Sequence, residues 1–401
     1  MGRFVTGRPI RIAHVTTIDL SLRYLLLNQL RYLQTLGYEV TGVSASGPDV
    51  PELIAAGIRH VAVPMTRRMT PLADLRALWQ LTMLFRRERF DIVHTHNPKP
   101  GLVGQIAARL AGVPIVVNTI HGLYFHERSP WLRRTVFSTF ERVAAFCSDR
   151  ILSQSAEDVT TLVSLGICRA DRIRHLGNGI DISRFRPGTV DSAAIAQARA
   201  EFDLGSGPVV GFVGRLVAEK GLPELLAAAA IVRKQIPDVR FLIVGPADES
   251  KADALSPRSA DEAGVGDICR FVGMRNDMPL MCALMRLFVL PSHREGVPRS
   301  PMEASAMGVP CIVTDVRGCR EVVQHERTGL LVPVRDPEAL AAAIVRLLTH
   351  EADADEYGRN ARDLAERQFD ERRIFATVAE EYARLTERLT RSSASALPEA
   401  R

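Results

Sequence analysis

The sequence lacks any apolar run approaching the roughly 20 residues that a membrane-spanning helix needs. It also lacks an apolar segment after the basic N-terminus, so no secretory signal is predicted. We therefore expect a cytoplasmic protein, with a peripheral position on the inner face of the cell membrane as an open alternative. With 401 residues, 46% of them hydrophobic and 24% charged, the chain is long enough for two ordinary domains.

Paired cysteines are missing as well, because the six cysteines are scattered and form no CxxC motif. This pattern predicts reduced, packed thiols and disfavours a disulfide framework or a zinc cage. Charge is spread unevenly: residues 1–190 hold 24 lysines and arginines against 14 aspartates and glutamates, a net charge of +10. The arginines are not interleaved with aromatic residues, so no nucleic-acid partner is predicted. An anionic membrane face or a phosphorylated acceptor fits better.

Short apolar runs alternate with amphipathic segments, which is the pattern of parallel sheets with crossover helices. We predict an α/β protein with two doubly wound, Rossmann-like domains, residues 1–190 on the acceptor side and residues 191–375 on the nucleotide side. Residues 376–401 are predicted to form a C-terminal helix that packs back on the first domain and ends in a frayed tail. The stretch 182–207, which contains prolines and glycines, is predicted to be the linker.

Two glutamates eight positions apart follow the predicted strand Leu287–Leu290. Glu295 falls in the loop at the carboxyl end of that strand, and Glu303 falls in the first turn of the next helix. Ser300 and Glu303 have the spacing of a capping box, with Pro301 at the first helical position, which is a purely structural interpretation. The functional interpretation is compatible with it, since a helix N-terminus offers N–H groups to a phosphate.

A second loop, Gly214-Arg-Leu-Val-Ala-Glu-Lys-Gly221, directly follows the predicted strand Pro208–Val213. It places Arg215 and Lys220 at the carboxyl edge of the same sheet, where two cations could clamp a diphosphate. A solvated loop with two surface charges is the alternative. The convergence of both loops on one edge favours a shared ligand, because such sheets bind ligands beyond the carboxyl ends of their strands.

The combination of G-R-L-x-x-E-K-G with E-G-x-P-x-x-x-x-E resembles the retaining glycosyltransferases of family 4. Further motifs that support the resemblance occur along most of the chain, at Asp91–His96, Thr119–Gly122, Asn178–Asp181 and Thr328–Val332. The resemblance implies the GT-B fold, in which two Rossmann-like domains face each other and hold a nucleotide-sugar in the cleft between them.

The same resemblance assigns roles to individual residues. Arg215 and Lys220 would bind the donor diphosphate and help its departure. Glu303 would take the ribose hydroxyls, Glu295 would contact the donor sugar, and the backbone near Arg270 would meet the base. The remaining donor-binding positions that it implies are Gly214, Ser300, Pro301 and Met302.

One segment departs from the family pattern. Family members often carry a glycine-rich loop after the first strand, whereas Thr16–Arg23 contains no glycine. Ser21, at the start of the next helix, is the residue that could still offer backbone donors to a phosphate.

His121 ends a predicted strand and, by the resemblance, hydrogen-bonds the donor sugar. A histidine that is merely satisfied at a strand end is the alternative. His94 and His96 share a face of another strand, and a metal site built from them with His121 and His126 is conceivable. No carboxylate or cysteine completes a recognised ligand spacing, so no metal is predicted.

The function favoured by these features is retaining glycosyl transfer, without a protein nucleophile, a metal or another cofactor. The acceptor hydroxyl would attack the anomeric carbon on the face that the nucleotide leaves. The chain is also similar to bacterial enzymes that extend lipid-diphosphate-linked glycans for surface polysaccharides, which implies a UDP-linked hexose or N-acetylhexosamine donor and a glycan or polyprenyl-diphosphate acceptor. A nucleotide-sugar 2-epimerase of the same fold and a non-catalytic sugar-nucleotide-binding module are open alternatives.

The segment Leu123–Phe140 combines five aromatic residues with arginines, as an interfacial membrane helix does. An ordinary core-facing helix with a solvated arginine face is the alternative. The net charge of the first domain and the pair Arg67 and Arg68 favour an anionic membrane surface as a partner.

Overall fold

The structure is a computed structural model that describes residues 4–5, 8–66, 70–96, 98–125, 129–247 and 253–395. The chain divides into two compact units, residues 1–177 with 373–401 and residues 178–372. The sequence placed the first boundary at residue 190, whereas Ile180 and Phe185 are already part of the hydrophobic core of the second unit.

Strands and helices alternate through the first unit. Its strands are β1 (Phe4–Val5), β2 (Arg8–Pro9), β3 (Arg11–Ile18), β4 (Glu39–Ala45), β5 (Arg59–Ala62), β6 (Ile92–His96), β7 (Ile115–Ile120), β8 (Arg150–Ser153) and β9 (Ile173–His175). Its helices are α1 (Asp19–Ser21), α2 (Leu27–Thr35), α3 (Val50–Ala55), α4 (Pro71–Glu88), α5 (Pro98–Ala111), α6 (Trp131–Cys147) and α7 (Ala156–Ser164).

The second unit repeats this alternation. Its strands are β10 (Val209–Val213), β11 (Arg240–Val244), β12 (Cys269–Gly273), β13 (Leu287–Leu290), β14 (Cys311–Thr314) and β15 (Gly329–Val332). Its helices are α8 (Ser192–Glu201), α9 (Leu222–Gln235), α10 (Pro257–Glu262), α11 (Met278–Ala283), α12 (Arg299–Ala306), α13 (Arg317–Arg320), α14 (Pro337–Thr349) and α15 (Glu351–Gln368). The last helix, α16 (Glu371–Ser395), starts in the second unit and continues in the first.

The main sheet of the first unit is parallel, with strand order β5-β4-β3-β6-β7-β8-β9. Alternate residues of its strands point to opposite faces, so that Ile12 packs in one core and Ala13 in another. The Ile12 face is covered by α2 and by α16, through residues that include Val378 and Tyr382. The Ala13 face is covered by α4 and α5. Helices on both faces make this a doubly wound unit.

The sheet of the second unit is also parallel, with strand order β12-β11-β10-β13-β14-β15. The order reverses between β10 and β13, and in the first unit it reverses between β3 and β6. These are the topological switch points where doubly wound sheets bind their ligands.

Two parts of the chain differ from the sequence predictions. The predicted linker 182–207 contains helix α8, because the Asp191 side chain accepts a hydrogen bond from Ala193 N–H and caps an alanine-rich segment. The helical segment that begins at Asp19 contains one π-helical turn over Leu22–Leu26. Helix α16 is ordered through Ser395, beyond the expected start of the frayed tail.

Candidate active site

The two loops singled out in the second half of the sequence lie side by side. Strands β10 and β13 are hydrogen-bonded neighbours at the switch point of their sheet. The loop Gly214–Gly221 leaves the carboxyl end of β10, and the loop that contains Glu295 leaves the carboxyl end of β13. Both loops therefore meet at the edge where ligands of such sheets bind.

Glycine allows these loops to touch backbone to backbone. Gly221 has φ +74°, and a Cβ atom placed there would lie 1.9 Å from the carbonyl oxygen of Pro291. On the other side of the same loop, a Cβ on Gly245 would lie 1.8 Å from the carbonyl oxygen of Gly214. A side chain at Gly221 or Gly245 would push the neighbouring loop away, so the close approach of the loops requires glycine at both positions.

Lys220 and Glu295, one from each loop, form an ion pair. Lys220 Nζ lies 2.5 Å from Glu295 Oε1, which also accepts a hydrogen bond from Ser292 Oγ at 2.6 Å. The Glu295 side chain is only 8% exposed and that of Lys220 is 21% exposed, so the pair is largely shielded from solvent. An ammonium group has three donors, which leaves Lys220 able to bind an anion while it contacts Glu295.

Further charged residues hold the two loops together, and sequence reasoning missed them. His293 N–H donates to the Glu219 carbonyl at 2.9 Å, and the Arg294 guanidinium pairs with the Glu219 carboxylate at 2.9 Å. His293 Nε2 lies 2.8 Å from the Glu224 carboxylate. The sequence did contain a signal for them. Glu219 is adjacent to Lys220, and His293 and Arg294 precede Glu295, so each loop carries acidic and basic residues that could pair with the other loop.

The short helix α13 supports the Glu295 loop from a third strand. A Cβ on Gly318 would lie 1.1 Å from the carbonyl oxygen of Gly296, so α13 packs directly on the backbone beside Glu295. Burial raises the pKa of the Cys319 thiol well above its usual range, and Glu295 raises it further. Cys319 is therefore a packed thiol close to the ion pair.

The capping box predicted for Ser300 and Glu303 is wrong. Helix α12 begins at Arg299, and the capping position belongs to Pro298, which is extended at φ −72° and ψ 134° and makes no side-chain cap. Because Arg299 is already helical, Ser300 lies inside the first turn and cannot adopt the extended backbone of a capping residue. Pro301 and Met302 are buried in the same turn.

Glu303 therefore does not act as the glutamate of a capping box. Burial raises the pKa of its half-buried carboxyl group to about 7, an effect opposed by Arg299 and Arg184 and reinforced by Glu371. Within the described part of the chain, the Glu303 carboxyl group has no hydrogen bond or ion pair with another side chain or with the backbone. A carboxyl group with a raised pKa and without a protein partner is typical of a binding or catalytic position.

Arg215 and Arg270 have different surroundings. Arg215 is half-buried, and the next residue anchors the loop through Leu216 N–H, which donates to the Pro246 carbonyl at 3.1 Å. Arg270 lies near the amino end of the edge strand β12, where its guanidinium contacts Asp203. The structure thus brings Lys220 and Glu295 into contact, whereas the Arg270 side chain points to partners of its own.

In the first unit, His121 follows β7 and belongs to a row of histidines. His96 Nδ1 lies 3.2 Å from His121 Nε2, and His14 Nδ1 lies 3.0 Å from His96 Nε2. His94 contacts Tyr382 of α16 and Thr119 of β7. Burial lowers the pKa of His121 to about 4, against an opposing hydrogen bond with Gln154. The sequence paired His94 with His96 on one strand but gave no signal for His14 or Tyr382.

Three of these rings, His14, His94 and His96, have nitrogens within 4.8 Å of one another, as a metal site would. Hydrogen bonds already engage several of these nitrogens, however: His14 Nδ1 faces His96 Nε2, and both nitrogens of His94 have partners, Tyr382 and Thr119. A nitrogen that donates or accepts a hydrogen bond within the cluster is not available to an ion at the same time. His126, considered for the same site from the sequence, lies outside the described residues.

The segment after β3 lacks glycine, and in the structure an acidic residue begins its helix. Asp19 is buried and accepts a hydrogen bond from Asp49 N–H at 2.8 Å. Ser21 lies at the end of α1, before the π-helical turn. The first turn of this helix therefore carries a buried carboxylate, whose negative charge opposes an anion there.

Two family models match the chain. Residues 207–350 match the model described as glycosyl transferases group 1, and residues 24–184 match the model described as glycosyltransferase family 4. The chain is 31% identical to the UDP-Gal:alpha-D-GlcNAc-diphosphoundecaprenol alpha-1,3-galactosyltransferase of Escherichia coli, over 85% of this chain and 89% of that protein. It is 28% identical to the capsular polysaccharide biosynthesis glycosyltransferase CapM of Staphylococcus aureus, over 93% of this chain and 96% of CapM.

Among solved structures, Anabaena HepE in complex with UDP and glucose matches with a TM-score of 0.78 at 21% identity, over 93% of this chain and 99% of HepE. The sucrose-phosphate synthase of Thermosynechococcus elongatus matches with a TM-score of 0.77 at 23% identity, over 94% and 99% of the two chains. These likenesses confirm the predicted fold class, an α/β structure of two Rossmann-like domains of the GT-B type. None of the described helices is long and apolar enough to cross a membrane.

Proposed function

Because the chain belongs to glycosyltransferase family 4 and is a glycosyltransferase, we propose that it moves a sugar from a nucleotide-sugar to a hydroxyl group with retention of configuration. The contact between Lys220 and Glu295 carries this proposal. It places a cation for a diphosphate and a carboxylate for a sugar at one switch point, on two loops that glycine brings together.

In the proposed mechanism the second unit binds the donor. Arg215 and Lys220 stabilise the negative charge that develops on the departing diphosphate, which is electrostatic catalysis directed at the transition state. Glu295 contacts the donor sugar and orients Lys220 through their ion pair. The backbone of Gly214 and the first turn of α12, at Ser300, Pro301 and Met302, provide further donor contacts. Two cationic side chains supply the charge that a divalent ion supplies elsewhere, so we propose metal-independent transfer.

Glu303 is proposed to bind the ribose. Its pKa is raised to about 7 because burial destabilises the ionised carboxylate in the free protein. Two ribose hydroxyls would stabilise the carboxylate by donating hydrogen bonds to it. The carboxyl end of β12, which follows Arg270, is proposed to meet the base.

A UDP-linked donor and a lipid-diphosphate-linked acceptor are the proposed substrates. The Escherichia coli relative is named for UDP-galactose and a diphosphoundecaprenol acceptor, and HepE was solved with UDP and glucose. Other relatives are named for GDP-mannose, so GDP-mannose is a second candidate donor.

The first unit is proposed to meet the acceptor at an anionic membrane surface, as a peripheral protein on the cytoplasmic side. Trp131 and Phe146 of α6 are 77% and 85% exposed. Helix α4 exposes a second apolar stripe, and its neighbouring arginines include Arg86 and Arg87. Exposed aromatic residues with flanking arginines fit an interfacial surface. Arg67 and Arg68, which contributed to the sequence prediction, lie outside the described residues.

The function is tested by nucleotide release from UDP-glucose, UDP-galactose, UDP-N-acetylglucosamine and GDP-mannose, each with and without N-acetylglucosamine-diphosphoundecaprenol. We expect free UDP only when acceptor is added, and a product with the donor's anomeric configuration. Nucleotide released without acceptor, together with a sugar epimerised at carbon 2, would identify the epimerase alternative. Donor binding that shifts the melting temperature without turnover would identify the binding-module alternative.

A further inference from the structure

A continuous hydrogen-bonded chain of neutral side chains crosses the core of the first unit. It begins at Thr119, whose Oγ1 lies 2.7 Å from His94 Nε2, and continues from His94 Nδ1 to the Tyr382 hydroxyl at 2.5 Å. The same hydroxyl lies 3.3 Å from His14 Nε2. From His14 the chain continues through His96 to His121, as described above.

The backbone explains why these residues meet. His14 and His94 are register partners on β3 and β6, and His96 lies two residues beyond His94, so all three share one face of the sheet. Helix α16 covers that face and inserts Tyr382. The hydrogen-bonded chain of side chains therefore runs along β6 toward the carboxyl end of that strand, where His96 contacts His121.

The rings in this chain are neutral. Burial lowers the pKa of His14 to about 3 and the pKa values of His94 and His96 well below the usual range. The titratable groups that act on these rings are the other histidines, and Tyr382 in turn is influenced by Tyr38. Within the described residues none of these rings pairs with a carboxylate.

A neutral imidazole has one donor and one acceptor, so the identity of one proton fixes all the others. If His96 Nδ1 donates to His121 Nε2, then His14 donates to His96, Tyr382 donates to His14, and His94 donates to Tyr382. In the reverse order every bond changes direction. The hydrogen bond with Gln154 raises the pKa of His121, as an acceptor of a ring N–H does, so it favours the first order, in which Nε2 accepts from His96. Because Nε2 is engaged by His96, Nδ1 is the ring nitrogen left for a ligand.

We propose that His94, Tyr382, His14 and His96 form a relay that positions His121, fixing its ring orientation, its tautomer and its neutral state for contact with the donor sugar. The relay depends on Tyr382, because its hydroxyl group is the hydrogen-bond link between His94 and His14. These four are positioning residues, since His121 alone would touch the substrate. The role of the relay in catalysis rests on the proposed function, whereas its control of His121 does not.

The test is Tyr382→Phe in the full-length protein, with Tyr38→Phe as the matched control. Tyr38 is buried beside Tyr382, with ring centroids 6.0 Å apart, and none of the hydrogen bonds described above passes through it. The readout is the ¹⁵N spectrum of the histidine side chains between pH 5 and 8. We expect a single neutral tautomer for His121 in the wild-type protein and in Tyr38→Phe, and a mixture of tautomers or a higher His121 pKa in Tyr382→Phe.

Turnover gives the second readout. We expect Tyr382→Phe to lower kcat about tenfold and to alter its pH profile while the donor KM changes less than twofold, an effect at the lower end of the roughly 10- to 100-fold loss seen when a histidine bound to a metal loses its outer hydrogen-bond partner. Unchanged His121 resonances in a folded Tyr382→Phe variant would overturn the relay. So would one bound zinc ion whose removal by EDTA shifts the resonances of His14, His94 and His96, because that result would assign the cluster to a metal. If no transfer occurs with any donor, the proposed function fails while the ¹⁵N result still decides the relay.

Discussion

The two units place different chemistry at the same topological position. At the switch point of the second unit, between β10 and β13, charged side chains meet in the Lys220–Glu295 pair. At the switch point of the first unit, between β3 and β6, the side chains that meet are neutral rings, His14 and His94 among them. A leaving diphosphate needs fixed charge, whereas a hydroxyl-bearing sugar or acceptor needs oriented hydrogen bonds. We propose that this difference reflects a division of labour between the units.

The largest expected effect is on the charged site. Lys220→Ala removes a cation from the proposed diphosphate site, and we expect turnover to fall about 10²- to 10³-fold, as for the loss of one transition-state donor. The fold should persist, since Glu295 keeps its hydrogen bond from Ser292. Turnover is measured beside Lys234→Ala, a control on the last turn of α9. A Lys220→Ala variant within threefold of wild type would remove Lys220 from the mechanism.

The loop contact predicts the next effect. Gly221→Ala places a Cβ against the Pro291 carbonyl, so we expect the unfolding free energy and turnover to fall together, with turnover down about tenfold or more. Gly188→Ala is the matched control, because Gly188 has a similar φ of +79° but open space around it. Equal losses of stability in the two variants would show that backbone strain alone matters and that the loops need not touch.

Glu303 gives an effect of intermediate size with a pH signature. Ribose hydroxyls that donate to the carboxylate would lower its pKa from about 7, so binding of UDP near pH 7 should release a fraction of a proton. In Glu303→Gln the release should vanish and the affinity should fall about tenfold. Calorimetry in two buffers of different ionisation enthalpy measures both quantities.

The first unit contains the matched control for this prediction. Burial also raises the pKa of Glu141 to about 7, with a contribution from Asp158. Glu141→Gln should leave the proton release on UDP binding unchanged. If Glu141→Gln abolishes the release and Glu303→Gln does not, the ribose has been assigned to the wrong unit.

The smallest expected effect on turnover concerns the membrane, where the change is in vesicle binding. Each basic residue near an anionic surface gains about 1 kcal/mol, so Arg133→Glu with Arg134→Glu should weaken binding to anionic vesicles about 30-fold or more at low salt. Arg258→Glu in the second unit, where the Arg258 side chain is 85% exposed on α10, is the control. A wild-type protein that ignores anionic vesicles in flotation would leave a soluble acceptor as the alternative.

The charged site was predictable because its residues lie in two short sequence motifs. Each motif connects the end of a strand to a helix, so the pattern of apolar runs placed both motifs at one edge of the sheet. The sequence could not show which residues start the helix after Glu295: Ser300 and Glu303 have the right spacing for a cap, but the extended residue is Pro298. Cap spacing alone does not fix backbone conformation.

The neutral chain was not predictable in the same way. Tyr382 and His14 are 368 positions apart, and the strands that carry His14, His94 and Thr119 become neighbours only in the folded sheet. Their identities give no local signal, because buried histidines on separate strands look like ordinary polar residues of a core. The helix α8 was missed for a different reason: prolines and glycines on both sides outweighed the Asp191 cap.

The binding of UDP to three variants tests the central division between the units most directly. Calorimetric affinities are compared for wild type, Lys220→Ala and His121→Ala, and turnover is measured for the same proteins. We expect Lys220→Ala to lose at least tenfold in UDP affinity, His121→Ala to bind UDP within twofold of wild type, and both to lose turnover. Undiminished UDP binding by Lys220→Ala, or a tenfold loss in His121→Ala, would contradict the account.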